Sequence, residues 1–176
     1  ESFENLAQHM QMKYHFEAQQ TNSETWFDAE KLENIFYNLL SNAFKYTPEN
    51  GEITMKVKFV ENDADNILPA LYAYIEVTDN GKGIAKEHLP FIFERFYHVE
   101  SERELDKNNS GIGLALTSEI IKILHGKIQV QSEIKKGSCF QVYLPYTTDR
   151  YNEKDLDRNN TLAEVKLKAR VDTLVH

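Results

Sequence analysis

The chain has 176 residues, 41% of them apolar, and a formal charge of -8 at pH 7. A polypeptide of about 150 residues buries roughly 70% of its unfolded surface, so one core with appendages is expected. The acidic balance, with lysines scattered along the chain, argues against nucleic acid as a partner, and the single cysteine, Cys139, excludes an internal disulfide framework and a multi-cysteine zinc site, as suits a reducing cytosol.

Residues 2–11 read as the end of a helix, residues 12–17 as a strand, and Thr25-Trp26-Phe27 as a second short strand. Asp28 fits an N-cap, and the helix it opens spans 29–46, because Pro48 disfavours a helical residue before it. After the turn Pro48-Glu49-Asn50-Gly51, residues 52–60 place Ile53, Met55, Val57 and Phe59 at the period-two spacing of a half-buried strand. A polar turn at 61–66 leads to a partner strand over about 70–78. There Leu71, Ala73, Ile75 and Val77 alternate with Tyr72, Tyr74 and Glu76, and Asp79 arrives at the strand end. Residues 84–110 are irregular, with the aromatic cluster Phe91, Phe93, Phe96 and Tyr97 followed by a polar run over 100–110 that is expected to be mobile. Gly111-Ile112-Gly113 opens an apolar helix that runs through Leu124 and stops at Gly126. Strands over 127–134 and 138–144 follow, joined by Lys135-Lys136-Gly137, and Pro145 closes the domain. The division is therefore a domain over 1–146 and a linker or tail over 147–176, where Leu162, Val165, Ala169 and Leu174 weakly mark a helix over 161–175.

Three groups of residues carry chemistry. Asn34, Asn38, Asn42 and Lys45 fall in one narrow helical arc, beside and opposite Leu32, Ile35, Phe36, Leu39, Leu40 and Ala43. Neutral amides and one lysine suit a magnesium-bound triphosphate. Asparagine is a poor helix former, so three in register gain nothing locally by being there. In Asp79-Asn80-Gly81-Lys82-Gly83-Ile84 a carboxylate at a strand end precedes glycines that let the backbone turn sharply. Such a carboxylate needs a donor, and the exocyclic amine of adenine is one. In Ser110-Gly111-Ile112-Gly113-Leu114, glycines ahead of a helix expose N–H groups to anionic oxygens. Taken singly, the last two also fit an ordinary surface turn and an ordinary loop-to-helix junction.

In this order the groups strongly resemble the ATP-binding catalytic domain of bacterial sensor histidine kinases, over about residues 1–145. Residues 38–48 resemble that family's N box, residues 79–84 its G1 box, residues 93–97 its F box and residues 111–116 its G2 box. Gly137-Ser138-Cys139-Phe140 resembles the start of its closing strand. The resemblance implies an α/β two-layer sandwich, a mixed and mostly antiparallel sheet with helices on one face. This is the Bergerat-type ATP-binding fold, with a flexible lid over the nucleotide. It implies ATP and Mg2+ as cofactors, with Asn38 as metal ligand and Asn38 and Lys45 as the residues serving catalysis. Asn42 and Lys45 would touch the phosphates, Tyr46 would line the site, and Asp79 would bind adenine. Gly81, Gly83, Ile84, Phe93, Arg95, Phe96, Ser110, Gly111, Ile112, Gly113 and Leu114 complete the implied ATP-binding set.

Two departures from the wider pattern matter. The ATP-hydrolysing relatives carry a glutamate four residues before the metal-binding asparagine, where this chain has Asn34. Glu33 lies about 100° away around the helix. An asparagine cannot act as a general base, which favours transfer over hydrolysis. Many relatives also carry an arginine where this chain has His98, leaving Arg95, Arg103 and Lys107 as candidate phosphate partners. None of the six histidines has the phosphoacceptor setting of the family. The implied function is therefore transfer of the ATP γ-phosphate to a histidine on a separate dimerisation domain of the same polypeptide, with a response-regulator receiver next in line. The alternatives are a nucleotide-regulated binding module and an ATP hydrolase. The start at Glu1 without a methionine leads us to expect a piece of a longer chain, and with no apolar run long enough to cross a bilayer and no signal peptide this piece is not expected to contact a membrane directly. The parent is expected to be a homodimeric inner-membrane sensor with this domain on the cytoplasmic side.

Overall fold

The computed structural model describes residues 3–19, 25–61, 71–97, 111–146 and 164–167. Helix α1 (Phe3–His9) leads into β1 (Lys13–Ala18), and β2 (Thr25–Asp28) into the long helix α2 (Ala29–Tyr46). The caps fix α2 at the expected residues. Extended Asp28 accepts the Lys31 N–H at 3.0 Å and pairs with the Lys31 ammonium, while Thr47 leaves the helical region and donates its N–H to the Ala43 carbonyl. Strands β3 (Glu52–Glu61) and β4 (Leu71–Asp79) precede helix α3 (Gly113–Ile123), β5 (Lys127–Glu133) and β6 (Gly137–Pro145).

The main sheet has the order β1-β3-β4-β6-β5, parallel between β1 and β3 and antiparallel elsewhere. Its inward residues Ile53, Met55, Val57, Ile75, Val77, Phe140, Val142 and Leu144 meet Ile35, Phe36, Leu39, Leu40 and Phe44 of α2 and Ile121 of α3 in one core. Period two in the strands and 3.6 in the helices each put their apolar set on the shared side, so the two-layer α/β expectation holds. On the opposite face Tyr74, Glu76, Gln141 and Tyr143 contact one another. Among the described residues, no helix is long and apolar enough to cross a membrane.

Two expectations are corrected. Helix α3 ends at Ile123, and the left-handed residue is His125 (φ 55), followed by a Gly126 N–H bond to the Ile121 carbonyl. Gly126 is needed for space instead, since a Cβ there would lie 2.6 Å from the Tyr143 carbonyl oxygen. In the tail, Glu164–Leu167 form strand β7, antiparallel to β2, where a helix was expected. The apolar markers there were too sparse for a helical stripe, and an open strand edge supplies backbone partners that the segment can pair with. The polar turn after β3, the run over 98–110 with His98, Arg103, Lys107 and Ser110, and the remainder of the tail lie outside the described residues.

Candidate functional site

Helix α2 buries one side and turns the asparagine stripe away from it. Asn38 and Asn42 are half-buried, whereas Asn34 and Lys45 are exposed. The stripe is not uniform in its bonding, because Asn34 donates its side-chain amide to the Glu30 carbonyl at 2.8 Å. One turn on, Asn38 faces the start of α3. A Cβ on Gly113 would lie 3.2 Å from the Asn38 amide oxygen, so glycine permits the close approach. Ile112 stands at the N-cap and makes no side-chain cap bond, which leaves the first-turn N–H groups of α3 to other acceptors. Gly111 takes a left-handed conformation (φ 63) and accepts the Phe96 N–H at 3.0 Å, joining the aromatic segment to this junction.

Asp79 marks the other end of the stripe. Its Oδ1 accepts N–H bonds from Gly81 at 2.8 Å and from Ser138 at 3.3 Å, the latter on the residue directly across the β4–β6 ladder. Burial pushes its carboxyl above the usual range, opposed by these two bonds. Both lone pairs of one oxygen are thereby engaged, and the other oxygen retains its acceptor capacity. The loop after Asp79 is bound tightly to the end of α2. Lys82 donates its N–H to the Tyr46 carbonyl at 3.1 Å, and a Cβ on Gly81 would fall 2.3 Å from that same oxygen. From the far side, Ser132 accepts the Ile84 N–H at 2.7 Å and donates to the Gly137 carbonyl at 2.8 Å. Gly137, at φ 95, lies where a Cβ would be 1.9 Å from the Asp79 carbonyl oxygen.

Asn38, Asn42 and Tyr46 therefore link two clusters along one helical line. Eight residues at 1.5 Å each separate the Gly113 end from the Asp79 end by about 12 Å. Of the residues singled out in the sequence, the fold gathers Asn38 with Gly113, Phe96 with Gly111, and Tyr46 with Asp79 and Gly81. Ile84, Phe93 and Leu114 pack against the edge of the core, and Arg95 is exposed. Ser132, Ser138 and Gly137 belong to the support of Asp79, although their chemistry did not single them out. Their signal is positional: Ser132 and Ser138 are small polar residues on the inward face of otherwise apolar strands.

Among the described residues no three His, Cys, Asp or Glu side chains converge as a metal cage. An amide oxygen against a glycine-framed helix start fits a metal that takes most of its ligands from water and phosphate, as magnesium does.

Residues 27–148 match the family described as histidine kinase-, DNA gyrase B-, and HSP90-like ATPase. The chain is 37% identical over 147 residues to histidine kinase P4 of Formosa agariphila, covering 82% of this chain and 10% of that protein. It is 38% identical over 119 residues to the sensor protein SrrB of Staphylococcus aureus, covering 68% of this chain and 19% of that protein. The chain thus spans no more than a fifth of the length of these two relatives. Among solved structures, the catalytic domain of histidine kinase ThkA superposes with a TM-score of 0.65 at 22% identity, over 83% of this chain and 86% of that one. The full-length ShkA complex with AMPPNP does so with 0.65 at 23% identity, over 82% of this chain and 28% of that one. These two likenesses establish the fold. With four motifs in order and a matched domain, this chain belongs to the histidine kinase-, DNA gyrase B- and HSP90-like ATPase family.

Proposed function

We propose that residues 1–146 bind Mg-ATP and donate its γ-phosphate to a histidine on a separate dimerisation domain of the same polypeptide, opening a two-component signalling relay. The observation that carries this reading is the line along α2, with Asn38 against Gly113 at one end and Tyr46 against the Asp79 loop at the other. Asp79 accepts the adenine amine on its second oxygen, held in place by the Gly81 and Ser138 N–H groups. Asn42, Lys45 and the start of α3 orient the phosphates, and Asn38 supplies the amide oxygen for Mg2+. Lys45 meets charge that develops on the transferring group. Bound there, Mg2+ would neutralise charge on the phosphates, and the γ-phosphoryl group would leave ADP as its bond to an imidazole nitrogen of the acceptor forms. Asn34, turned to the Glu30 carbonyl, offers no base to activate water, which disfavours hydrolysis.

The parent is proposed to be a homodimeric inner-membrane sensor that keeps this domain on the cytoplasmic side and passes the phosphoryl group to a receiver domain. Radiolabelled ATP tests the reading. The isolated chain binds nucleotide without labelling itself, and the longer chain with its upstream domain becomes labelled on histidine. Steady phosphate release without an acceptor favours a hydrolase, and binding without transfer in the longer chain favours a regulated binding module.

A further inference from the structure

Lys82 stands between two glycines of the Asp79 loop, where the sequence asks only for a turn. Both of its backbone polar groups are committed: the N–H goes to the Tyr46 carbonyl at 3.1 Å, and the carbonyl accepts the Lys135 N–H at 2.7 Å. With the backbone fixed, the side chain returns over α2, and its ammonium lies 4.0 Å from the centre of the Tyr46 ring. The Lys45 ammonium lies 5.1 Å from the same ring. Both distances fall within the range of about 6 Å over which a cation is drawn to an aromatic face.

Tyr46 is the last residue of α2, and Thr47 is already extended. No later helical turn flanks the ring, so its orientation depends on what meets it at the helix end, Lys82 from the loop at 4.0 Å and the neighbouring Lys45 at 5.1 Å. Gly81 keeps the loop close enough for this, since any side chain there would strike the Tyr46 backbone. We propose that Lys82 is a positioning residue that holds the Tyr46 ring as a wall beside Asp79, so that affinity for the purine part of the nucleotide depends on residue 82. The proposal rests on the nucleotide reading of the site. Under it Lys82 acts through Tyr46 and makes no phosphate contact of its own.

Calorimetric titration of the intact domain with Mg-AMPPNP and with Mg-tripolyphosphate separates the roles. Lys82→Met keeps the aliphatic stem and removes the charge. It weakens AMPPNP about two- to fivefold, the equivalent of roughly 0.5–1 kcal/mol, and leaves tripolyphosphate unchanged. Lys82→Arg restores the AMPPNP affinity. In the nucleotide-free domain, Lys82→Met shifts the ring resonances of Tyr46 and leaves those of Tyr143, on the sheet face away from α2, in place. Parallel weakening of tripolyphosphate, unchanged AMPPNP affinity, a Lys82→Arg variant that behaves like Lys82→Met, or an unmoved Tyr46 resonance each overturns the proposal. Asp79→Asn serves as the separate control: if it retains AMPPNP, the nucleotide reading itself fails, whatever Lys82 does.

Discussion

Replacing Asp79 by asparagine should move stability and ligand recognition in opposite directions. Asparagine keeps an oxygen for the Gly81 and Ser138 N–H groups at 2.8 and 3.3 Å, but sets an NH2 where the second carboxylate oxygen stood. The charge leaves a site only 7% exposed, where burial pushes the carboxyl above the usual carboxylate range. Because the folded pKa is raised, the stability linked to this group is fully present below about pH 3.8 and lost as pH rises through the folded value. At pH 7 Asp79→Asn therefore unfolds at a higher temperature than the parent, and the difference narrows as the solution is acidified. Adenine meets the reverse effect, since an amine facing an amide NH2 loses a charge-assisted bond. A loss of about 1.5–3 kcal/mol corresponds to roughly tenfold to a hundredfold weaker binding. Guanine presents a carbonyl in place of that amine, so the preference for ATP over GTP shrinks as well. Thermal unfolding without nucleotide from pH 4 to 8, with titrations of both nucleotides, measures all three effects. A variant that binds ATP like the parent, or is less stable at neutral pH, refutes the reasoning.

Further outcomes follow from single contacts. Asp28→Ala removes the α2 cap and should cost about 1 kcal/mol, lowering the melting temperature by roughly 2–4 °C in a domain of this size. Thr47→Val should leave stability unchanged or raise it by about 1 kcal/mol, because the buried Thr47 hydroxyl has no partner among the described residues; a loss in chemical denaturation would contradict this. Gly137→Ala combines a φ of 95 with a Cβ 1.9 Å from the Asp79 carbonyl oxygen. It should destabilise the domain by at least about 2 kcal/mol and weaken ATP as Asp79 shifts, and both are measurable by urea unfolding and titration. Asn38→Ala should abolish the gain in nucleotide affinity on adding magnesium while leaving the metal-free affinity within about twofold, roughly 0.4 kcal/mol, as titrations with and without magnesium measure; an undiminished magnesium gain would contradict this.

How much of this could be read in the sequence varied with the range of the cause. Helix α2 was legible to its last residue, because Asp28, the 3.6-residue stripe and Pro48 are all local signals. The arrival of Asp79 at a strand end was legible from alternation over the preceding residues. The partners of Asp79 were not, since the ladder that sets Ser138 opposite it joins strands far apart in sequence, and no local pattern fixes that register. For the same reason the pairing of Glu164–Leu167 with β2 escaped a search for helical periodicity. Motif membership also leaves open which way a side chain faces, and Ile84, Phe93 and Leu114 turn toward the core. The left-handed residue that ends α3, His125, has no local sequence signal, and the space Gly126 needs comes from the distant Tyr143 carbonyl.

The most direct test of the central claim is a crystal structure of the domain with magnesium and AMPPNP. The predicted result is a single nucleotide lying along α2, its adenine amine on the Asp79 carboxylate and its metal on the Asn38 amide oxygen. A nucleotide bound with its base away from Asp79, or a metal held without Asn38, would contradict the account.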